Sequence, residues 1–161
     1  MKNKIIFLVG LSGSGKSTWA TNYIQNNRDT YRINRDDVRR TIVGDLNTYW
    51  DRPDCFYIES MVSSISIQML SIYTNKKFNI IIDNTNLTFK EINSLLSLIN
   101  QEFYDVEFVI LDKPIRECKE NVQRRDNRED VSYIDKHANR FIQIIKWIKE
   151  HYPDNYKIID N

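Results

Sequence analysis

The fold of this chain is decided by the stretch Gly10-Leu11-Ser12-Gly13-Ser14-Gly15-Lys16-Ser17. One glycine, four variable residues and then Gly-Lys-Ser form the pattern of a phosphate-binding P-loop. The apolar run at 5–9 predicts a strand before it, and the residues from Thr18 onward predict a helix after it. Because the motif requires this strand–loop–helix order, we interpret it as a nucleoside triphosphate site rather than as a glycine-rich turn.

Each part of this loop has a role in binding phosphate. The glycines allow backbone N–H groups to turn toward phosphate oxygens, and the new helix points its positive dipole end at the same anion. Lys16 is expected to reach the β- and γ-phosphates, and the Ser17 hydroxyl to bind Mg²⁺. The predicted ligands of ATP, or of another NTP, are Gly10, Ser12, Gly13, Ser14, Gly15, Lys16, Ser17 and Thr18.

Composition limits the class of protein. The 161 residues, 41% hydrophobic and 28% charged, predict one domain spanning 1–161. A net charge of +1 excludes a global attraction to nucleic acid, so such binding needs a local patch. The two cysteines lack metal-ligand spacing and favour a reduced, cytoplasmic setting, which is the host cytoplasm if a phage encodes the chain. The first apolar run ends at Gly10, too soon for a membrane span or a signal-peptide core.

Short apolar runs alternate with longer helical patterns, which predicts an α/β fold with a parallel sheet. The predicted strands are 4–9, 31–34, 78–82, 106–111 and 156–159. The predicted helices are 16–25, 36–42, 54–73, 88–103, 115–125 and 132–151. Thr88 with Glu91 three residues later resembles a capping box.

The second predicted strand is followed by Ile33-Asn34-Arg35-Asp36-Asp37-Val38-Arg39-Arg40. Ligands of open α/β sheets bind where strands end, so this box belongs at the ligand rim. Asp36 or Asp37 can orient an acceptor hydroxyl and accept its proton. Arg39 lies one helical turn beyond Asp36 and can hold an acceptor phosphate with two N–H groups. An ordinary Asp N-cap on a solvated helix explains the same residues equally well.

The third predicted strand ends in Ile82-Asp83-Asn84-Thr85-Asn86-Leu87. Asp83 can serve as the carboxylate near Mg²⁺ or its waters. Asn84, Thr85 and Asn86 offer short polar groups to a substrate at the same rim. A turn with an Asx hydrogen bond and a following N-cap is the simpler alternative.

A group of arginines ends the fifth predicted helix, in Asn121-Val122-Gln123-Arg124-Arg125-Asp126-Asn127-Arg128. Kinases place cations over the transferring phosphoryl group, often on a mobile lid. The region 113–149 carries ten Lys or Arg against six acids, so a phosphate-facing patch is possible there. A solvated face with Arg–Asp pairs is the alternative. The aromatic segment 49–57 can stack on a base, but we favour rings packed on the core.

Taken together, these boxes resemble the 5′-polynucleotide kinases, as found in the kinase domain of bacteriophage and animal polynucleotide kinase/phosphatases. The resemblance covers about residues 5–145 and rests on the P-loop, the Asn34-Arg35-Asp36-Asp37-x-Arg39 box, Asp83-Asn84-Thr85-Asn86 and Asn121-x-x-Arg124. It implies a P-loop NTPase kinase-type three-layer fold. The parallel sheet would have five strands in the order 2-3-1-4-5, with helices on both faces and an Arg-bearing lid.

The resemblance also implies roles for individual residues. Asp36 is expected to be the general base on a 5′-hydroxyl of DNA or RNA, and Arg39 the ligand of the acceptor's 3′-phosphate. Arg124 is expected to be the lid arginine on the ATP phosphates, with Arg125 and Arg128 as rivals. The phage enzymes carry an acid where this chain has Asn84, so Asp83 can take that acid's role instead. No Asp-x-Asp-x-Thr phosphatase signature occurs in the chain, which predicts a stand-alone kinase.

Three hypotheses follow from the sequence. The first is ATP- and Mg²⁺-dependent phosphorylation of a nucleic-acid 5′ end, without a membrane partner and with the oligomeric state open. The second is a P-loop kinase of a nucleoside, nucleotide or other small molecule, because the scaffold and catalytic groups would be shared. The third is a nucleotide-binding switch that hydrolyses ATP slowly without an acceptor.

Overall fold

The computed structural model describes residues 2–46, 48–126 and 130–160. Five parallel strands form one sheet in the order β2-β3-β1-β4-β5, as predicted. They are β1 (Asn3–Val9), β2 (Thr30–Ile33), β3 (Asn79–Ile82), β4 (Tyr104–Asp112) and β5 (Tyr156–Asp160). Register pairs Phe7 of β1 with Ile82 of β3 and with Phe108 of β4. The carboxyl ends of the strands therefore share one edge, where the loops that carry the predicted boxes begin.

Six helices connect the strands: α1 (Lys16–Asn26), α2 (Arg35–Val43), α3 (Cys55–Asn75), α4 (Phe89–Leu96), α5 (Ile115–Asp126) and α6 (Tyr133–His151). A short 3₁₀ turn, Tyr49–Asp51, precedes α3. Most predicted boundaries agree within two residues. The exception is α4, which was expected to continue to residue 103. After Leu96 the backbone changes to the tighter bonds Leu98 N–H to Leu95 O and Ile99 N–H to Leu96 O, which end the helix.

Both faces of the sheet are covered, because alternate residues of β1 point to opposite sides. Ile5, Phe7 and Val9 belong to the larger core, which α3, α4, α5 and α6 complete. Ile6 and Leu8 belong to the smaller core under α1. A third cluster fills the space between α2 and α3, and its buried residues are Val38, Tyr49, Ile58 and Val62.

Helix α3 is, within the described part of the chain, the one helix long and apolar enough to cross a membrane by length and composition alone. That test is also passed by helices that pack on the core of a globular protein. One side of α3 is buried, at Cys55, Ile58, Val62, Ser66 and Leu70. Its other side exposes Phe56, Tyr57, Met61, Ile67 and Ile72.

Candidate active site

The P-loop joins β1 to α1, and its backbone requires glycine at two places. Gly15, which caps α1, has φ +94°, and Gly13 has φ +82°. Residues that carry a side chain rarely adopt a backbone conformation with such a positive φ. A Cβ at Gly13 would lie 2.3 Å from the carbonyl oxygen of Cys118 in α5. The loop is thus built around the absence of side chains, in direct contact with the helix that carries the predicted lid arginines.

Lys16 lies in this loop with 8% of its surface exposed. Its ammonium donates hydrogen bonds to the carbonyl oxygens of Gly10 at 2.9 Å and Leu11 at 2.7 Å. Burial lowers the pKa of Lys16 to about 8, although the negative charge of Asp83 acts against this. An incoming phosphate would supply the anion that favours the charged ammonium.

Other P-loop side chains offer donors to a phosphate. Ser14 is 1% exposed, and its hydroxyl oxygen has no hydrogen-bond partner in the described part of the structure. Ser12 is half-buried, whereas Ser17 and Thr18 are exposed on the first turn of α1. A buried hydroxyl without a partner beside a glycine cradle fits a bound nucleotide phosphate.

The charges around Lys16 show which predicted residues the fold brings together. After burial, the acidic charges of Asp83 and Asp36 act to raise the pKa of Lys16, while the positive charge of Arg125 acts to lower it. These groups come from three segments that are far apart in sequence: the end of β3, the first turn of α2 and the last turn of α5. The sheet edge therefore gathers a buried cation, two carboxylates and a guanidinium in one place.

Asp83 is 1% exposed and tightly held on one side. Its Oδ2 accepts hydrogen bonds from Asn34 Nδ2 at 2.9 Å and from Arg32 Nη1 at 3.2 Å. Its Oδ1 is buried and has no partner among the described residues. A carboxylate oxygen left without a donor suits an oxygen-preferring cation such as Mg²⁺. Because no three described His, Cys, Asp or Glu side chains form a metal cluster, such a cation would take most of its ligands from phosphate and water.

The rest of the Asp83 box serves the scaffold. Asn84 Oδ1 accepts a hydrogen bond from the backbone N–H of Arg35 at 3.1 Å, and the Thr85 carbonyl accepts one from the N–H of Gly10 at 3.2 Å. Asn86 is 3% exposed, and its Nδ2 lies 2.7 Å from the carbonyl oxygen of Leu8 and 3.0 Å from that of Ile82. These bonds tie the box to α2, to the P-loop and to the ends of β1 and β3. Substrate binding by Asn84, Thr85 and Asn86 stays a prediction.

The first turn of α2 separates its two aspartates. Asn34, not an aspartate, caps the helix by accepting the N–H of Asp37 at 2.9 Å. Asp36 is half exposed and receives a 2.6 Å hydrogen bond from Arg39 Nη1. Asp37 instead forms ion pairs with Arg32 and Arg40. Asp36 and Arg39 thus lie on the same side of α2 and bond each other, while Asp37 bonds Arg32 and Arg40.

Glu59 of α3 holds the other side of Arg39, and no motif had pointed to it. Its oxygens accept hydrogen bonds from Arg39 Nε at 2.5 Å and Nη2 at 2.8 Å. Arg35 Nη2 at 2.8 Å and the Tyr49 hydroxyl at 2.6 Å complete its partners. Burial alone would raise the pKa of Glu59, but the donors from Arg39, Tyr49 and Arg35 lower it to about 2. Glu59 is therefore a fixed anion throughout the physiological range of pH.

Aromatic rings flank this guanidinium. The Arg39 Cζ lies 5.7 Å from the centre of the Tyr49 ring and 5.5 Å from that of Trp50. The expectation that this segment packs on the core is right for Tyr49, which is 1% exposed. It is wrong for Trp50, Phe56 and Tyr57, which are 56%, 86% and 71% exposed.

Helix α5 brings the candidate lid arginines to the P-loop. Asn121 Nδ2 donates to the Gly13 carbonyl at 2.9 Å, and its Oδ1 accepts from Arg124 Nη2 at 2.9 Å. Arg125 pairs with Asp126 at 2.6 Å, and its charge acts on both Lys16 and Asp36. Arg128, the third candidate, lies outside the described residues. The two described arginines are thus linked to the P-loop in different ways. Arg124 bonds Asn121, which contacts the loop, whereas the positive charge of Arg125 acts on Lys16.

Solved structures of known proteins resemble this chain. At 26% identity and a TM-score of 0.75, the chain resembles a chain of the Pnkp1/Rnl/Hen1 RNA repair complex, with 91% of this chain and 46% of that chain covered. A second Pnkp1/Rnl/Hen1 complex matches at 28% identity and a TM-score of 0.61, with 82% and 42% covered. The chain therefore spans less than half the length of these two relatives. A protein of the PezAT chromosomal toxin-antitoxin system of Streptococcus pneumoniae shares the fold at 15% identity and a TM-score of 0.79, with 99% and 69% covered.

A family match agrees with the fold and with the P-loop geometry. Residues 5–149 match the family described as AAA domain (AAA_33), a range that contains α1 to α5, β2 to β4 and β1 from Ile5 onward, but not β5. The match ends two residues before the end of α6. The resemblance to polynucleotide kinases that the motifs indicated is confirmed at the level of the domain. This chain belongs to the AAA domain (AAA_33) family and is a P-loop domain of the polynucleotide-kinase type.

Proposed function

We propose that this protein transfers the γ-phosphate of ATP, or of another NTP, to the 5′-hydroxyl of a DNA or RNA end. The Asp36–Arg39 pair carries the proposal, because Asp36 is a half-exposed carboxylate whose charge acts on Lys16 and which is bonded directly to the guanidinium of Arg39. A phosphoryl acceptor needs such a base, and a phosphate-bearing acceptor needs such a cation. The likeness to chains of an RNA repair complex supports a nucleic-acid acceptor.

In the proposed reaction the 5′-hydroxyl oxygen attacks the γ-phosphorus while Asp36 accepts the hydroxyl proton. The new O–P bond forms while the bond from the γ-phosphorus to the β–γ bridging oxygen breaks, and ADP leaves. Lys16 and the P-loop N–H groups hold the β- and γ-phosphates. Arg39 holds the 3′-phosphate of the acceptor nucleotide, and Arg124 or Arg125 stabilises the charge that spreads over the transferred group.

Asp83, through its Oδ1, and Ser17 are the residues proposed to hold Mg²⁺. The ion, when bound, would neutralise part of the phosphate charge of the nucleotide. Arg32 and Asn34 keep the Asp83 carboxylate oriented whether or not the ion is present. We also propose that residues 1–161 act as one kinase domain in the cytoplasm.

Transfer of labelled γ-phosphate to a 5′-hydroxyl oligonucleotide, with DNA and RNA in parallel, tests the proposal. Asp36→Asn should lower the rate about 10²–10⁴-fold, the usual contribution of a general base, and leave ATP binding intact. Asp37→Asn is the matched control, because Asp37 is bound to Arg32 and Arg40 and should keep most of the activity. Normal turnover by Asp36→Asn, or equal loss in both variants, would reject Asp36 as the base.

The alternative is a P-loop kinase of a nucleoside, nucleotide or other small molecule. It is favoured by the high fold similarity to the PezAT protein, since one fold serves several acceptors. If the wild-type protein binds ATP but labels neither DNA nor RNA, a panel of nucleosides, sugars and antibiotics becomes the next assay. Label on a small acceptor alone would establish this alternative and exclude the polynucleotide proposal.

A further inference from the structure

Glu59 is the centre of a polar cluster beside the proposed acceptor site. Its two oxygens accept four hydrogen bonds, two from Arg39, one from Arg35 and one from Tyr49. Its side chain is 22% exposed and that of Arg39 is 12% exposed, so water screens these contacts only in part. Two guanidinium groups and two carboxylates, those of Glu59 and Asp36, balance in charge within the cluster.

The hydrogen bonds of Arg39 leave a defined part of its guanidinium available. An arginine side chain has five N–H donors, one on Nε and two each on Nη1 and Nη2. Glu59 takes the donor on Nε and one on Nη2, and Asp36 takes one on Nη1. The hydrogen bonds among the described residues leave one N–H on Nη1 and one on Nη2 unused. These two nitrogens form the edge that can bind one oxyanion with two parallel hydrogen bonds.

We propose that Glu59 is a positioning residue that holds Arg39 so that its Nη1–Nη2 edge binds the acceptor's phosphate while Nη1 also orients Asp36. This inference rests on the proposed function and adds a residue that acts through Arg39 rather than on the substrate. The Tyr49 hydroxyl fixes Glu59 in turn, and the rings of Tyr49 and Trp50 lie against the guanidinium. The guanidinium of Arg39 is thus bonded by Glu59 along its Nε–Nη2 edge and lies beside two aromatic rings.

Loss of the Glu59 charge has a specific consequence for Asp36. With its Nε–Nη2 edge released, Arg39 can turn and bind the Asp36 carboxylate with two N–H groups instead of one. The Nη1–Nη2 edge of Arg39 would then be occupied by Asp36 and no longer free to bind the acceptor's phosphate. Such an enzyme would keep its nucleotide site, because Lys16 and the P-loop make no contact with Glu59 in the described hydrogen bonds.

The test compares two minimal acceptors, a nucleoside 3′-monophosphate and the same nucleoside without phosphate. In Glu59→Gln the kcat/KM for the 3′-monophosphate should fall on the order of tenfold or more, mostly through KM, with the KM for ATP unchanged. The preference for the phosphate-bearing acceptor should shrink, as it should in Arg39→Ala. Glu107→Gln is the matched control, because Glu107 pairs with Lys4 at 2.5 Å away from the sheet edge that carries the site.

A second, milder variant keeps the test valid if Glu59→Gln fails to fold. Tyr49→Phe removes one donor to Glu59 without changing any charge and should shift acceptor preference in the same direction by a smaller factor. If the wild type prefers the 3′-monophosphate and folded Glu59→Gln and Tyr49→Phe keep that preference in full, the inference is wrong and the proposed function stands. If the wild type phosphorylates neither nucleotides nor oligonucleotides at a 5′-hydroxyl, the proposed function and the inference are both wrong.

Discussion

Replacing Gly13 with alanine tests the contact between the P-loop and α5. The added Cβ would lie 2.3 Å from the carbonyl oxygen of Cys118, and 3.0 and 3.1 Å from its carbonyl carbon and Cα. All three atoms are backbone atoms of a helix whose Cys118 and Val122 side chains are fully buried. The helix or the loop must therefore move, because no flexible side chain can turn aside. The φ of +82° at Gly13 adds strain of its own.

Gly44→Ala is the matched control, because Gly44 has φ +78° but nothing within 4 Å of an added Cβ. The backbone cost is about 1–3 kcal/mol at either position. Overpacking adds about 1–3 kcal/mol at Gly13 alone. The free energy of unfolding should therefore fall about 2 kcal/mol further in Gly13→Ala, which moves the urea midpoint by roughly 1 M at an m-value of about 2 kcal/mol/M.

Nucleotide binding gives the second measurement on the same pair of variants. Gly13→Ala should also weaken ATP binding, because relief of the clash displaces the loop and breaks the 2.9 Å bond from Asn121 to the Gly13 carbonyl. Gly44→Ala, at the end of α2, should bind ATP as the wild type does. Equal urea midpoints for the two variants, together with wild-type ATP affinity in Gly13→Ala, would refute the close approach of P-loop and α5.

Three further predictions follow from single groups. Burial lowers the pKa of Lys16 to about 8, and bound phosphate should raise it, so the Kd for ATP should increase up to about tenfold per pH unit above pH 8. The accompanying proton uptake is measurable by calorimetry in buffers of different ionisation enthalpy. A flat Kd from pH 7 to 10 would contradict this. Asn86→Ala removes the amide donor to two buried carbonyls and should lower the free energy of unfolding by about 2–4 kcal/mol. Asn86→Asp should lower it by more, and a smaller loss in the aspartate variant would show that the amide hydrogens are unimportant. Arg125→Ala should lower kcat more than Arg124→Ala, because the charge of Arg125 acts on both Lys16 and Asp36; the reverse order would make Arg124 the arginine that stabilises transfer.

The parts of the fold that depend on local pattern were predictable from the sequence. The P-loop and the Thr88 N-cap are set by residues close to one another in the chain, and the alternation of apolar runs with helical patterns indicates the parallel sheet. The Thr88 hydroxyl does accept the backbone N–H of Glu91 at 3.3 Å, and it donates to the Glu91 carboxylate at 2.8 Å. The end of α4 was not predictable in this way, because apolar residues continue at Leu98 and Ile99 after the helix has ended. A helical pattern gives the face that is buried, not the residue at which backbone bonding changes.

The site was predictable where a motif names its residues and not where tertiary contacts choose them. Glu59 lies 20 residues from Arg39 in a helix whose sequence has no motif, and only the packing of α2 on α3 brings the two together. Tyr49 and Trp50 are neighbours with the same propensities, yet one is buried and the other is half exposed. Asn86 matched a rim motif, but its side chain is buried and its amide donates to the carbonyl oxygens of Leu8 and Ile82.

Asn34 links the box after β2 to the box after β3. Its Oδ1 caps α2 through the N–H of Asp37, while its Nδ2 donates to the carbonyl oxygen of Asp83 at 2.7 Å and to Oδ2 at 2.9 Å. The same side chain thus fixes where α2 begins and how the buried carboxylate is oriented. Since Asp36 lies on the first turn of that helix, any rotation of α2 that moved the proposed base would also break the bonds that hold Asp83. The proposed acceptor base and the proposed magnesium ligand are therefore positioned by one amide, which accounts for their common reach toward Lys16.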